Sequence, residues 1–211
     1  MAYDVEQQES ISALKAWFEQ YANWLIGVSL LALAVVAGNW GWRWYEQRES
    51  TAASIVYEQY QQAVAAQDNS KARDLAGTLV QRYGSSAYAG LVALAQARAS
   101  LATGDSAAAK AQLHWVIDKS GNREWAALAR LRLAGILLDE KAYEEALALL
   151  QADVPAAMAA EFSDRRGDLL LAQGKTAEAR AAYAKALEQA GAQSQLRPMI
   201  QSKFDALPAA G

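Results

Sequence analysis

The sequence predicts an all-α protein in two parts: a single N-terminal transmembrane helix, then a solenoid of helical hairpins. Three observations carry that reading. The stretch from Trp24 to Trp44, WLIGVSLLALAVVAGNWGWRW, lies in a run with no Asp, Glu, Lys or Arg between Glu19 and Arg43. The remainder is rich in alanine, leucine, glutamine and glutamate, and the 211 residues hold only 3 prolines, a composition of helix formers. Units punctuated by glycine or by N-capping residues also recur along the second half of the chain.

Residues 1–20 read as a tail, acidic at first and then periodic. Ile11, Leu14, Trp17, Phe18 and Tyr21 fall three and four apart, so one face of a helix is apolar and leads into the next segment. Such a helix either lies among lipid headgroups or offers a docking face to a partner.

Residues 21–45 read as the anchor. Between Leu25 and Gly38 the only polar side chain is Ser29. At about 1.5 Å per residue a helix from Tyr21 to Trp42 is roughly 30 Å long, the thickness of a bilayer's hydrocarbon core. Amphipathic rings stand at both ends, Trp24 at the entry and Trp40, Trp42 and Trp44 at the exit, where they suit the headgroup layer. A cleaved signal peptide fits poorly, because the preceding residues carry four acids and only Lys15 as a base, and NWGWRWY follows. Gly27, Ala34, Gly38 and Gly41 share a face on which a second helix could approach closely. In an alanine-rich span, chance also yields such pairs. Orientation is left open: counting side chains alone, Arg43 and Arg48 on one side exceed Lys15 on the other by one charge, too little to decide it.

Residues 46–86 form a first helical pair and connection. Ile55, Val56, Tyr60 and Val64 are the expected buried side, Asp68 to Ser70 break the helix, and a second one runs to Gly84. From 87 to 192 come three degenerate hairpins, expected at Ala87–Thr103 with Ser106–Lys119, Arg123–Asp139 with Tyr143–Gln151, and Ala156–Gln173 with Thr176–Ala190. In the last unit Gly167, Gly174, Ala179, Tyr183 and Ala186 match the small, turn, small, aromatic, small order of a tetratricopeptide repeat. Ala134 and Ala146 stand in the matching places of the middle unit, Ala97 and Ala109 in those of the first. Ala109, Ala146 and Ala179 are 37 and 33 residues apart, bracketing the repeat of about 34. Small residues there let paired helices approach, while an aromatic or leucine fills the adjoining space. Asp153 and Arg166 depart from the pattern. Residues 193–211 supply a helix and tail, with Leu196, Met199, Ile200, Phe204 and Leu207 spaced to cap the end of the stack.

Composition excludes several functions. With 0 cysteines there are no disulfides, thiol chemistry or cysteine metal sites. Past Tyr45 the chain has 18 basic and 19 acidic residues, a net charge of −1, which gives no basis for nucleic-acid binding. The single histidine, His114, cannot build a metal site, and no phosphate loop or nucleophile motif occurs. The expectation is a non-enzyme without cofactor, metal or small-molecule substrate. What remains is surface. The first helices of the pairs would line a concave face bearing Leu91, Leu94, Arg98, Leu101, Leu128, Leu131 and Leu138, then Glu161, Asp164 and Asp168. That face reads in two ways: a groove for an amphipathic or unfolded segment with some positive charge, or core filled by the helices of Tyr45–Tyr83.

The order of these features resembles the ancillary SecYEG translocon subunits of Gram-negative bacteria. The resemblance rests on Val5-Glu6 through Lys15-Ala16-Trp17-Phe18 before the anchor and GWRWY at its exit. It continues in LAQARASLATGDSAAAKAQL, RLRLAGILLDEKAYEEALALL and RGDLLLAQGKTAEARAAYAKAL. It implies a single-pass protein of the cell inner membrane with a cytoplasmic N-terminus and a periplasmic repeat domain. Implied partners are the protein-translocation channel, a membrane-anchored periplasmic chaperone of the prolyl-isomerase type, membrane lipid and a response regulator. The implied role is to hand secreted chains to folding helpers. The competing reading is a membrane-tethered regulator that sequesters a stress-response protein.

Overall fold

A computed structural model describes residues 2–152 and 154–208; within the first helix it describes the side chains of Trp17, Tyr21, Trp24, residues 27–40 and those from 48 onward. Among the described residues every element is helical and no strand occurs. The chain divides into two compact units, Met1–Glu49 and Ser50–Gly211.

Helix α1 (Ala2–Ala65) runs through the first unit and ends in the second. Among the described residues no helix is long and apolar enough to cross a membrane. The transmembrane helix expected at 21–45 falls partly outside them, since the described side chains there are Tyr21, Trp24 and residues 27–40. The apolar positions Ile11, Leu14 and Phe18 of the tail, and Asp153 in the repeats, also lie outside the described residues.

The second unit continues with α2 (Asn69–Arg82), α3 (Ala87–Ala102), α4 (Ser106–Lys119), α5 (Arg123–Asp139), α6 (Tyr143–Leu149), a 3-10 turn at Ala156–Met158, α7 (Ala159–Ala172), α8 (Thr176–Gln189) and α9 (Arg197–Asp205). Helices α2 to α9 pack each on the next, and α5 also packs on α7, the neighbour relation of stacked hairpins. Three hairpin helices end one residue short of the sequence expectation, at Ala102, Ala172 and Gln189, and two boundaries differ by more. Helix α6 stops at Leu149 instead of Gln151, and α7 starts at Ala159 after the 3-10 turn instead of at Ala156.

All four hairpin turns share one geometry. Gln67, Gly104, Lys141 and Gly174 have φ of 58°, 80°, 63° and 77°. At each, that residue's N–H donates to the carbonyl three residues back, and the next N–H donates to the carbonyl five residues before it. Those two bonds satisfy carbonyls that the preceding helix leaves free at its end. Asp68 and Asp105 then cap the following helix, accepting from Lys71 N at 3.0 Å and from Ala108 N at 2.9 Å. The first pair, α1 with α2, therefore closes with the same turn as the three later hairpins.

The largest core cluster joins α3 to α7 through Leu94, Leu113, Val116, Leu133, Leu137, Phe162 and Leu169. Fully burying each such side chain is worth roughly 1.5–3 kcal/mol, so this cluster dominates the unit's stability. A second cluster joins α7, α8 and α9 around Tyr183 and Ile200. A third joins the end of α1, α2 and α3 around Ala53, Tyr60, Ala63, Leu79 and Val92. Here the buried face of α1 differs from expectation. Tyr60 is buried and Val56 half-buried, but Ile55 and Val64 are exposed. The small side chains of Ala53, Ala63, Ala72 and Ala76 bring the helices close, which narrows the buried stripe to the alanine side.

Candidate interaction surface

The repeat-packing positions all lie in the interior. Ala97, Ala109, Ala134, Ala146, Ala179, Tyr183 and Ala186 are buried, as is Gly167. A Cβ on Gly167 would stand 2.4 Å from Cε1 of Tyr183, so the tyrosine ring lies on the bare glycine backbone. The same device occurs at Gly90 of α3, where a Cβ would meet Trp125 of α5 at 2.4 Å. Sequence reading missed that second pair. Its signal was a lone glycine in an otherwise good helix, which reads as a packing position.

The expected concave face splits into three parts. Leu91, Arg98 and Leu101 are exposed, Leu94 is core, and Leu138 is half-buried against the central cluster. Leu128 and Leu131 line a cavity of about 270 Å³ together with Glu161 and Asp164. The remaining wall comes from α9, through Leu196, Met199 and Ile200. Helix α9 therefore lies along the inner face as well as against α8.

The acidic end of that face is already engaged. Lys203 Nζ of α9 donates to both oxygens of Asp164, at 2.9 and 2.8 Å, and to Oδ1 of Asp168 at 2.7 Å. The Tyr183 hydroxyl donates to the same Asp168 oxygen at 2.9 Å, and Arg165 approaches the other at 3.6 Å. Burial raises the Asp164 pKa above the usual carboxylate value; the Lys203 hydrogen bond pulls it down by less, and the Asp168 charge raises it again. Burial first, and then Asp168, push the Tyr183 hydroxyl far up, so it stays a donor. Helix α9 is held further by Arg180, which donates to the carbonyls of Phe204 at 3.0 Å and Leu207 at 2.7 Å and stacks over the Phe204 ring. A basic helix thus sits on the acidic residues expected to receive a basic segment.

In the first unit, the described apolar side chains of α1 are exposed on all sides. Trp24 and Trp40 are 67% and 80% exposed, and Leu30, Leu31, Leu33, Val35 and Val36 are exposed throughout. Of the small-residue face, Ala34 is exposed, and nothing lies within 4 Å of a Cβ placed on Gly27 or Gly38. Gly41, Trp42 and Trp44 lie outside the described side chains. His114 is exposed, and among the described residues no three of His, Cys, Asp and Glu converge as a metal site requires.

Residues 15–209 match the tetratricopeptide repeat-like domain family. The chain is similar to the ancillary SecYEG translocon subunit of Neisseria gonorrhoeae, with 29% identity over 98% of this chain and 100% of that one. It also resembles the proteins of that name from Haemophilus influenzae, 25% identical over 92% of this chain and 94% of the other, and Escherichia coli, 27% over 95% and 96%. The resemblance to ancillary translocon subunits noted from sequence therefore holds along nearly the whole chain.

Proposed function

The chain belongs to the tetratricopeptide repeat-like domain family, and from that premise we propose that it is a non-enzymatic, membrane-anchored scaffold at the protein-translocation channel. The observation that carries this reading is the end-to-end similarity to proteins named ancillary SecYEG translocon subunit, which includes the N-terminal segment as well as the repeats. The exposed apolar girth of α1 between residues 27 and 40 supports an anchor. Together with its uncharged flanks in the sequence, it reaches the roughly 30 Å of a bilayer core. The aromatic ends and the small-residue face would then meet headgroups and a neighbouring membrane helix.

In this reading the N-terminal tail is cytoplasmic and the repeats periplasmic, linking emerging secreted chains to membrane-anchored chaperones. Binding surface in place of catalytic machinery suits that task, as does an anchor that fixes where the surface is presented. A reporter enzyme that works only outside the cytoplasm, fused after Pro208, tests the topology. The reading expects activity in cells and retention of the fusion in membranes after alkaline extraction. An inactive fusion, or one released by alkali, contradicts it.

A further inference from the structure

The middle hairpin is missing half of its second helix. With Gly104 and Lys141 aligned by their shared turn, Leu113 corresponds to Leu150, Trp115 to Ala152 and Ile117 to Val154. Helices α4 and α8 each have 14 residues, whereas α6 has 7. The shortfall amounts to about 10 Å of helix. Pro155 sets the outer limit: it has no N–H to donate, and its ring would clash with the carbonyl of Gln151, so a helix could not continue past residue 154; α6 itself ends earlier, at Leu149. In α4 the corresponding half carries Leu113, Trp115, Val116 and Ile117 onto the central core.

The seat that a full-length α6 would occupy is open. A cavity of about 490 Å³ lies there, floored by the buried Leu150, Phe162 and Leu170 and walled by α7 and α8. This is within the usual range for ligand sites. On α8 the wall presents Ala181 and Ala182, small enough for a second backbone to come close. At its rim stand Arg166 and Lys185, both exposed and neither in a hydrogen bond or ion pair among the described residues. Glu178 is the one acid among the described residues of the lining. Arg166 also occupies a position where the repeat pattern calls for leucine.

We propose that this trough is a docking site for a short amphipathic, acidic helix of a partner protein, which completes the hairpin in trans. Two to three turns fill the missing length. Leucine-like side chains at i, i+3 and i+4 reach Leu150, Phe162 and Leu170, and a carboxylate on the flank meets Arg166 and Lys185. The surface lies apart from the inner face occupied by α9 and prefers the opposite charge. It does not depend on the translocon reading, because binding is read with a defined probe.

The test is fluorescence anisotropy of two labelled, helix-stapled peptides of about 12 residues, titrated with the full chain in detergent micelles. Both carry leucines at helical spacing; one has glutamates on its polar face and the other lysines. The acidic peptide is expected to bind at least about tenfold more tightly. Arg166→Glu with Lys185→Glu should reverse that preference, and Ala182→Trp, which fills the trough, should weaken the acidic peptide by a similar factor. Should the double reversal unfold the protein by circular dichroism, Arg166→Gln with Lys185→Gln must still erase the preference. Equal binding of the two peptides overturns the proposal, as does a preference that survives neutralisation. Displacement of the probe by a second copy of the chain, seen as self-association in sedimentation, overturns it too.

Discussion

At the scale of single residues, close approach is decided by what a glycine lacks. Tyr183 is fully buried against Gly167, so Gly167→Ala forces a methyl into the ring. Overpacking of this kind costs about 1–3 kcal/mol, which outweighs the roughly 1 kcal/mol that alanine gains in a helix. Urea unfolding should show net destabilisation, and unchanged stability would mean the ring moves freely aside. The tyrosine and glycine were legible in the sequence because they sit at repeat positions. The Gly90 and Trp125 pair was not, because its members lie in different hairpins and belong to no local pattern. Lys203 was equally hidden: it reaches Asp164 and Asp168, 39 and 35 residues back. Its partner Asp164 has a pH signature. Its folded-state pKa is raised, so its contribution to stability is fully present below the ordinary value of 3.8 and is lost as pH rises through the raised value. The melting temperature of the parent minus that of Asp164→Asn should therefore fall as pH rises from acid toward neutral. A difference that grows instead would show that Lys203 outweighs burial.

At the scale of elements, the four turns give the clearest comparison, since one backbone shape is built with different residues. Gly104 and Gly174 suit positive φ, whereas Gln67 and Lys141 adopt it against the preference of an L side chain. Lys141→Gly should stabilise by a few tenths to about 1 kcal/mol, and Gly174→Ala should destabilise by about 1 kcal/mol. Opposite signs in thermal unfolding are the expected result; equal signs would refute the shared turn. This contrast also explains what the sequence revealed about the fold. Hairpins marked by glycine or by an Asp cap could be placed within a residue or so, as for α3, α4 and α8. The early end of α6 could not, because no glycine or proline stands at Leu149 and Pro155 lies six residues beyond it. The buried side of α1 was misjudged at Ile55 and Val64, because large apolar residues were weighted above the alanines that actually touch α2 and α3. Leu128, Leu131, Glu161 and Asp164 of α5 and α7, which the repeat register places on one face, line one cavity. The sequence did not say that α9 would lie against them, since helix docking across some 40 residues depends on long-range packing.

At the scale of the molecule, one chain carries both a repeat surface and an exposed apolar helix. The repeats alone supply binding faces. Residues 27–40 of α1, largely apolar and exposed, are the feature on which the proposed anchor rests. Similarity to ancillary translocon subunits spans both parts, which makes a channel-associated scaffold the central claim. Its most direct test is site-specific photocrosslinking in intact membranes, with the probe at Leu30 or Val35 in α1 and, separately, at Leu91 or Leu101 on the repeats, all exposed positions. The account predicts channel subunits among the products from the α1 positions, and secreted chains or their chaperones among those from the repeats. Products from both regions that contain no channel component, from a chain that remains membrane-bound, would contradict it.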